Sequence, residues 1–361
     1  MKTLAIICLL LSQTLYAQTY DHLDTALSYY QLDPSHLHGK EADLSNVEEQ
    51  FNQGRMQIYR LKKGHVLKIE QAEYLKPIAA DGWKVIAPEI NNSTTEVNPK
   101  IMTVINELNV TNVRGHLEYF TGQTSRRSGA PGNQESTTYI EKFLGELGYE
   151  MTRDCFSPGL CNIWGTLRGN VDEYVLIEAH LDSVGRAYAG ADDNGSGAAG
   201  LLELARVLKS VDKKRGLIIF ATNGEESGLL GAKDFVWKAR DNGLLNKIKY
   251  VINMDMIGYN KNGIVDIETN REFEDLAKWK SALANTYTTL KPEITMPAWG
   301  SDHVPFLQYK VPSILTIEHW KTKTPCYHRE CDKIDTINFE YMMEILKLNV
   351  AASMEKMVET K

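Results

Sequence analysis

The sequence predicts an α/β protein in which a mainly parallel central sheet is flanked by helices on both faces, behind a small N-terminal segment. After residue 98, short runs that are apolar at every position alternate with stretches whose apolar residues recur at helical spacing. Strands buried on both faces have this composition, and their alternation with helices is typical of parallel sheets. Histidine and acidic residues directly follow several of the apolar runs. Ligands of open α/β sheets bind beyond the carboxyl ends of the strands.

The strands and helices of this pattern follow one another along the chain. Leu201, Leu204, Ala205 and Leu208 illustrate the helical spacing, which places them on one face of a helix. Buried strands are predicted at residues 174–179, 217–221, 250–254 and 313–317. Helices are predicted at residues 139–147, 195–208, 227–240 and 339–357.

Residues 1–17 have the features of a secretory signal peptide. Lys2 gives a positive start, residues 3–11 are apolar, and Ala17 supplies the small residue of a cleavage site. The alternative is a membrane anchor, but a span needs ~20 apolar residues and this run is shorter. We therefore expect cleavage after Ala17 and a secreted protein, extracellular or periplasmic, that is not held in a membrane.

The remainder of the chain divides near a polar segment. Residues 88–98 are rich in Asn and Thr and contain Pro88, as linkers often do. Residues 18–95 carry only scattered apolar runs without converging reactive side chains, whereas residues 96–361 contain the α/β pattern. We expect a small N-terminal unit at 18–95 and the catalytic domain at 96–361.

Charge and cysteine content narrow the class of protein. The chain has 40 Lys and Arg against 47 Asp and Glu, a net charge of −7, which argues against a nucleic-acid partner. Once Cys8 leaves with the signal peptide, four cysteines remain as two close pairs. In an oxidising compartment we expect the disulfides Cys155–Cys161 and Cys326–Cys331. A zinc finger is the weaker interpretation, because the two pairs lie far apart in the sequence.

Five segments bring histidine and acidic side chains to the predicted strand ends. Imidazole nitrogen and carboxylate oxygen together suit zinc. The acids exceed what one ion needs, which favours two ions that share a carboxylate. Each segment alone has a simpler interpretation, such as a helix cap at the Asp-Asn-Gly-Ser stretch, but five in order are hard to explain without a common site. The residues are His180, Asp182, Asp192, Asp193, Glu225, Glu226, Asp255 and His328.

The same segments resemble the motif set of the M28 family of zinc aminopeptidases, most closely its secreted bacterial leucine-type members. The resemblance covers roughly residues 100–361 and rests on EAHLDSV, GADDNGSGAAGLLELAR, ATNGEESGLLGA, NMDMIG and PCYHRECD, in that order. It implies the fold of zinc-dependent exopeptidases of the phosphorylase/hydrolase-like type and a domain 96–361 that is a di-zinc peptidase. The position and length of residues 18–95 are similar to those of a propeptide.

The resemblance also implies a role for each site residue. His180 and Asp255 would bind one zinc ion, Glu226 and His328 the other, and Asp193 would bridge both, with Asp192 as the alternative bridge. Glu225 would be the general base, Asp182 would orient His180 through its second ring nitrogen, and Tyr327 would hydrogen-bond the carbonyl oxygen in the transition state. The implied reaction is hydrolysis of N-terminal, hydrophobic residues from peptides with a free N-terminus, by a zinc-bridged hydroxide in a monomeric enzyme.

Other functions are compatible with parts of this pattern. A glutaminyl cyclase-like transferase would use a single zinc ion, a carboxypeptidase of the co-catalytic zinc type would act at the other peptide end, and a receptor-like relative would bind without catalysis. The complete set of acids and histidines disfavours the single-zinc transferase and the receptor-like protein. We place neither Asp302 nor His303 on the metals, and we expect His319, which follows the 313–317 strand, to be structural or on the surface.

Overall fold

The computed structural model describes residues 92–298 and 300–358, together with the backbone of four short strands between residues 29 and 78. The chain divides into two units, Met1–Ala87 and Pro88–Lys361. The predicted signal peptide at 1–17 lies outside the described residues, and its cleavage and that of residues 18–95 stay predictions. Within the described part of the chain, none of the helices has the length and apolar composition that crossing a bilayer requires.

The described strands of the N-terminal unit form one antiparallel sheet. β3 lies at its centre and pairs with β1 and β2, and β4 pairs with the other edge of β1. The strand order is β2-β3-β1-β4. The strands are β1 (Tyr29–Leu32), β2 (Val47–Gln53), β3 (Met56–Leu61) and β4 (Lys76–Ile78).

An eight-stranded sheet of mixed direction organises the second unit and confirms the predicted α/β class. Its order is β11-β10-β12-β9-β7-β8-β6-β5. The four predicted strands are the central ones, β12, β9, β7 and β8, and they are parallel throughout. The unpredicted strands lie at the edges, where β5, β6 and β10 pair antiparallel with their inner neighbours and β11 runs parallel to β10. The strands are β5 (Glu150–Ser157), β6 (Leu160–Leu167), β7 (Val171–His180), β8 (Arg215–Thr222), β9 (Ile248–Met254), β10 (Ile264–Glu268), β11 (Lys291–Thr295) and β12 (Ser313–Glu318).

Helices cover both faces of this sheet, as predicted. On one face, Leu176 and Phe220 of the central strands pack against Phe235 of α5 and Phe306 of α7. The opposite face is covered by α4 and α8, which contact β7, β8 and β9. The helices are α1 (Pro99–Ile105), α2 (Val110–Thr121), α3 (Pro131–Glu146), α4 (Gly197–Leu208), α5 (Leu230–Asp241), α6 (Glu274–Tyr287), α7 (His303–Gln308) and α8 (Phe339–Val358).

Three helix starts differ from prediction. α5 begins at Leu230 rather than at residue 227, because Gly228 and Leu229 have positive φ angles of 99° and 60°. α4 begins at Gly197, after an irregular turn over Ala191–Ser196 that contains a cis peptide bond between Asp193 and Asn194. α3 begins eight residues before the predicted start, at Pro131, whose fixed φ suits the first turn of a helix.

Both predicted disulfides are confirmed, and the predicted linker at residues 88–98 falls within the second unit. Cys155–Cys161 joins the strands of the β5–β6 hairpin, and Cys326–Cys331 closes the loop before α8. Thr95 donates its backbone N–H to Oγ1 of Thr286 over 2.8 Å, and Asn98 donates to the hydroxyl of Tyr287 over 2.8 Å. Residues 95–98 are therefore anchored to α6.

A buried lysine lies between α6 and β12. Lys280 is fully buried, and its Nζ donates a hydrogen bond to Oγ1 of Thr316. Burial lowers the pKa of the Lys280 amine from 10.5 to about 7, because the charged form loses its hydration. The native protein therefore binds this proton less tightly than the unfolded chain does.

Lys280→Met is expected to stabilise the protein, with the largest gain at and below neutral pH. Between about pH 7 and pH 10.5 the unfolded chain holds a proton that the native amine has released, so the wild-type stability rises with pH across that interval. Below it both states are protonated and the destabilisation by Lys280 is constant. Each pKa unit is worth ~1.4 kcal/mol, so the gain should shrink steadily towards about pH 10.

Thermal unfolding near pH 7 and near pH 9.5 measures this difference. Lys278→Met is the matched control on the same helix, since Lys278 is only half-buried and pairs with Glu274 at 2.7 Å. Equal gains in stability for Lys280→Met at both pH values would contradict the lowered pKa of Lys280.

Candidate metal centre

The centre lies where three adjacent parallel strands end. β7 ends at His180, β8 is followed by Glu225 and Glu226, and β9 is followed directly by Asp255. Because β9, β7 and β8 are neighbours in the sheet, their carboxyl ends meet at one edge. Asp193, in the turn before α4, and His328, in the loop before α8, complete the set.

The five predicted metal ligands converge as two groups that share Asp193. His180 Nε2 lies 3.3 Å from Asp255 Oδ1 and 3.4 Å from Asp193 Oδ1. His328 Nε2 lies 3.0 Å from the other carboxylate oxygen of Asp193 and 3.2 Å from Glu226 Oε2. Within each group the possible ligand atoms lie within 4.8 Å of one another. The structure therefore brings together the whole predicted set.

These residues fit a pair of divalent ions. Tetrahedral ligands with zinc bonds of about 2.0–2.1 Å lie roughly 3.3 Å from one another, and the histidine–carboxylate distances in the two groups are 3.0–3.4 Å. Asp193 directs one oxygen to each group, as a bridging carboxylate does. Glu226 Oε1 is buried without a hydrogen-bond partner among the described residues, and such a buried oxygen is costly unless a cation or proton satisfies it.

Asp192, the alternative bridge, faces away from both groups. Its Oδ1 accepts the backbone N–H of Gly258 over 2.8 Å and lies 3.3 Å from the hydroxyl of Ser196. Asp192 thereby joins the turn before α4 to the segment after β9. The geometry favours Asp193 as the bridge.

Asp332 positions the turn that carries Asp193, a role that is not among those expected from the sequence. Its carboxylate accepts the backbone N–H groups of Asp192 and Asp193 over 2.8 and 3.1 Å. The turn also needs Gly190, whose φ is 68° and whose position leaves no room for a Cβ, which would lie 2.0 Å from the carbonyl oxygen of Asp193. The only sequence signal for Asp332 is its place in the PCYHRECD motif.

The carboxylate of Asp182 lies beside His180, but its hydrogen bonds are made with another segment. Its carboxylate Oδ1 lies 3.6 Å from His180 Nδ1, beyond hydrogen-bonding distance, whereas its backbone carbonyl lies 3.2 Å from that nitrogen. The carboxylate instead accepts the backbone N–H groups of Glu225 and Glu226 over 3.1 and 3.3 Å and the Ser128 hydroxyl over 2.7 Å. The side chain of Asp182 therefore holds the Glu225–Glu226 turn in place.

A buried arginine joins the two loops that supply His180 and Asp193. Arg126 is fully buried and donates to the carbonyl oxygens of Leu181, Ala189 and Gly190. Burial lowers the pKa of Arg126 to about 10, and the carboxylates of Asp332 and Asp182 oppose that shift. The guanidinium is therefore charged at neutral pH and partly compensates the acids. Nothing in the sequence marks Arg126 as part of the site, because it lies far along the chain from every acidic motif.

Burial and mutual repulsion shift the protonation of the site acids. Burial raises the pKa of Glu225 well above its ordinary value; His180 opposes this shift, and Glu226 adds to it. Burial and the Asp193 carboxylate raise the pKa of Glu226 to about 7. For Asp193, hydrogen bonds with His180 and His328 outweigh burial and lower the pKa below its usual range. A site with this many buried acids is suited to binding positive charge.

Tyr327 packs against His328 through its ring. It stacks on His328 with ring centroids 3.8 Å apart and packs edge-on against Trp320 at 5.3 Å. His328 itself has a φ of 58° and lies inside the Cys326–Cys331 loop. Asp302 is buried and accepts a hydrogen bond from Thr222 at the end of β8.

This fold and centre define a metal-dependent hydrolase of the exopeptidase type. The model of the family described as Peptidase family M28 matches residues 162–353, more than half of the chain. The chain therefore belongs to peptidase family M28, and it is an aminopeptidase.

Individual relatives and solved structures are similar to this chain. Leucine aminopeptidase 1 of Leptosphaeria maculans is 27% identical over 281 residues, which are 70% of this chain and 72% of the relative. The LapA aminopeptidase of Legionella pneumophila superposes with a TM-score of 0.70 at 18% identity and covers 92% of this chain and 99% of its own. A glutaminyl cyclase of Macrostomum lignano superposes with a TM-score of 0.63 at 20% identity, and the match covers 74% of this chain and 97% of the cyclase. At such identities the superpositions show the fold alone.

Proposed function

We propose that this chain is a secreted, monomeric aminopeptidase that uses two zinc ions to release hydrophobic N-terminal residues from peptides. The observation that carries the proposal is the Asp193 carboxylate, whose two oxygens face two different histidines at 3.4 and 3.0 Å. His180 and Asp255 would hold one ion, and Glu226 and His328 the other. Two ions at this centre would activate a water molecule and polarise the scissile carbonyl.

Glu225 is suited to the role of general base. Its carboxylate belongs to a third group with His180 and Glu226, with ligand atoms within 4.8 Å, so it borders the centre. Asp182 fixes its backbone, and burial raises its pKa, as effective general acid–base catalysis at neutral pH requires. Glu225 would accept a proton from water and deliver it to the departing amine. Tyr327 would donate to the developing oxyanion, with its ring held by Trp320 and His328.

The charge of the centre, a named relative and the two disulfides support the proposed substrate class and the proposed secretion. The acid-rich centre attracts the free α-ammonium group of a peptide, which favours action at the N-terminus. The preference for hydrophobic residues is drawn from the relative named leucine aminopeptidase 1. The predicted signal peptide and the two disulfides support secretion, because disulfides persist in oxidising compartments. A glutaminyl cyclase shares the fold, but two complete ligand groups favour the two-ion hydrolase.

Chelation and zinc restoration test the proposal. Zinc chelation should abolish release of p-nitroaniline from leucine, methionine and phenylalanine p-nitroanilides, and zinc addition should restore it. N-acetyl-leucine p-nitroanilide is the matched control and should not react, because it lacks the free amine. Cyclisation of an N-terminal glutamine, or activity on N-blocked peptides at their carboxyl end, would overturn the aminopeptidase mechanism in favour of one of the alternatives.

A further inference from the structure

A second cluster of metal-ligand side chains lies away from the catalytic strands. Asp266 on β10, Glu293 on β11 and His319, the residue after β12, offer possible ligand atoms that all lie within 4.8 Å of one another. In the register of the sheet Asp266 pairs with both Glu293 and Ile317. Paired residues share a face of the sheet, and so do residues two apart on one strand. The topology therefore places these three side chains together at the β11 edge.

Two atoms of this cluster are buried and lack a hydrogen-bond partner. Asp266 is 4% exposed; its Oδ2 accepts the backbone N–H of Trp320 over 2.9 Å, but its Oδ1 has no partner among the described residues. His319 is 8% exposed, and its Nε2, 3.7 Å from Glu293 Oε2, also has none. Buried polar atoms without partners are rare in folded proteins and require an explanation.

We propose that Asp266, Glu293 and His319 form a third site for a divalent transition-metal ion such as Zn²⁺, separate from the M28 centre. One imidazole and two carboxylates supply nitrogen and oxygen ligands of the types that such an ion binds, and water can take the fourth position. Calcium takes six to eight oxygen ligands and no nitrogen. The ion would join the edge strand β11 to β10 and to the segment after β12, so its effect is on stability. His319 is thus buried at a ligand cluster, not on the surface.

The second nitrogen of His319 determines how strongly this site binds. Coordination through Nε2 requires the ring proton on Nδ1, where Thr322 Oγ1 lies 2.9 Å away and can accept it. The amide nitrogen of Asn262 lies 2.7 Å from the same Nδ1, so this amide would have to turn its oxygen to the ring when metal binds. Asn262→Asp would supply a carboxylate there without that rearrangement, and such partners raise the basicity of a metal-bound histidine.

Zinc binding to the full mature chain, measured by equilibrium dialysis with elemental analysis, tests this site. Wild type should bind one more ion per chain than Glu293→Gln, a change of similar volume in a half-buried side chain. Glu272→Gln is the matched control, since Glu272 pairs with Lys310 at 2.6 Å on the surface. Asn262→Asp should bind the additional ion about tenfold more tightly, which general damage to the fold would not produce.

Zinc binding at the third site can be measured in a chain whose catalytic centre has been disabled. Asp193→Asn combined with His328→Ala should still bind the ion that Glu293→Gln loses, whether or not the catalytic site takes two ions. Bound zinc should also raise the melting temperature of this double variant, and not of the same protein carrying Glu293→Gln. The site does not exist if Glu293→Gln and wild type bind equal amounts of zinc, or if Asn262→Asp leaves the affinity unchanged.

Discussion

Glu225→Gln is expected to lose about 10²–10⁴-fold in kcat while it keeps the metal content of wild type. Gln preserves the volume and the backbone N–H that Asp182 binds, but its amide cannot accept and release a proton at neutral pH. The five ligand positions are untouched, since His180, Asp193, Asp255, Glu226 and His328 form the two groups without Glu225.

Metal content and turnover must be measured on the same samples. Glu226→Gln is the adjacent control: it removes a ligand from the His328 group, so it should lose metal as well as activity. Near-wild-type turnover in Glu225→Gln would refute the base assignment. Loss of metal in that variant would instead indicate that Glu225 is a ligand.

Asp193→Asn is expected to lose both ions and all measurable activity. The wild-type carboxylate faces His180 through one oxygen and His328 through the other. A carboxamide is neutral and offers one oxygen, so it can serve at most one group, and the site loses a negative charge that attracts both ions. Elemental analysis after dialysis against a weak chelator should find less than one zinc per chain.

Asp192→Asn tests the neighbouring residue as the bridge. Its carboxylate binds Gly258 and Ser196 rather than either histidine, so this variant should lower the melting temperature and retain zinc. Full zinc content in Asp193→Asn, or loss of zinc in Asp192→Asn with an intact fold, would contradict the bridging role of Asp193.

The predictability of the strands follows their burial. Every residue of β8 is buried, and β7 is buried from Tyr174 to His180, so these strands are visible as continuous apolar runs. β5 alternates between exposed and half-buried residues, because it lies at the edge of the sheet, and its sequence EMTRDCFS carries no such run. The edge strands could not be predicted from hydrophobicity, which reports burial rather than backbone pairing.

The side chains that converge at the candidate site were recognisable for a different reason. Ligands must be particular residue types, and the strand ends must carry them, so His180, Asp255, Glu226 and His328 are identifiable in the sequence. The groups that hold these ligands have no such restriction. Asp332 and Arg126 bind backbone N–H and carbonyl groups of other segments. Because such groups occur in nearly every residue, the sequence of the segment that is bound does not indicate the hydrogen bond.

The sequence by itself determined the α/β class, the four central strands, the two disulfides, the M28 family and the set of candidate metal-ligand side chains. These depend on composition, local spacing and residue chemistry. Only the tertiary structure decided that Asp193 faces both histidines while Asp192 turns away, that the Asp182 carboxylate binds the Glu225–Glu226 backbone, and that Asp266, Glu293 and His319 meet at the sheet edge. Those outcomes depend on the direction in which side chains point once distant segments pack together, and local sequence does not encode that direction.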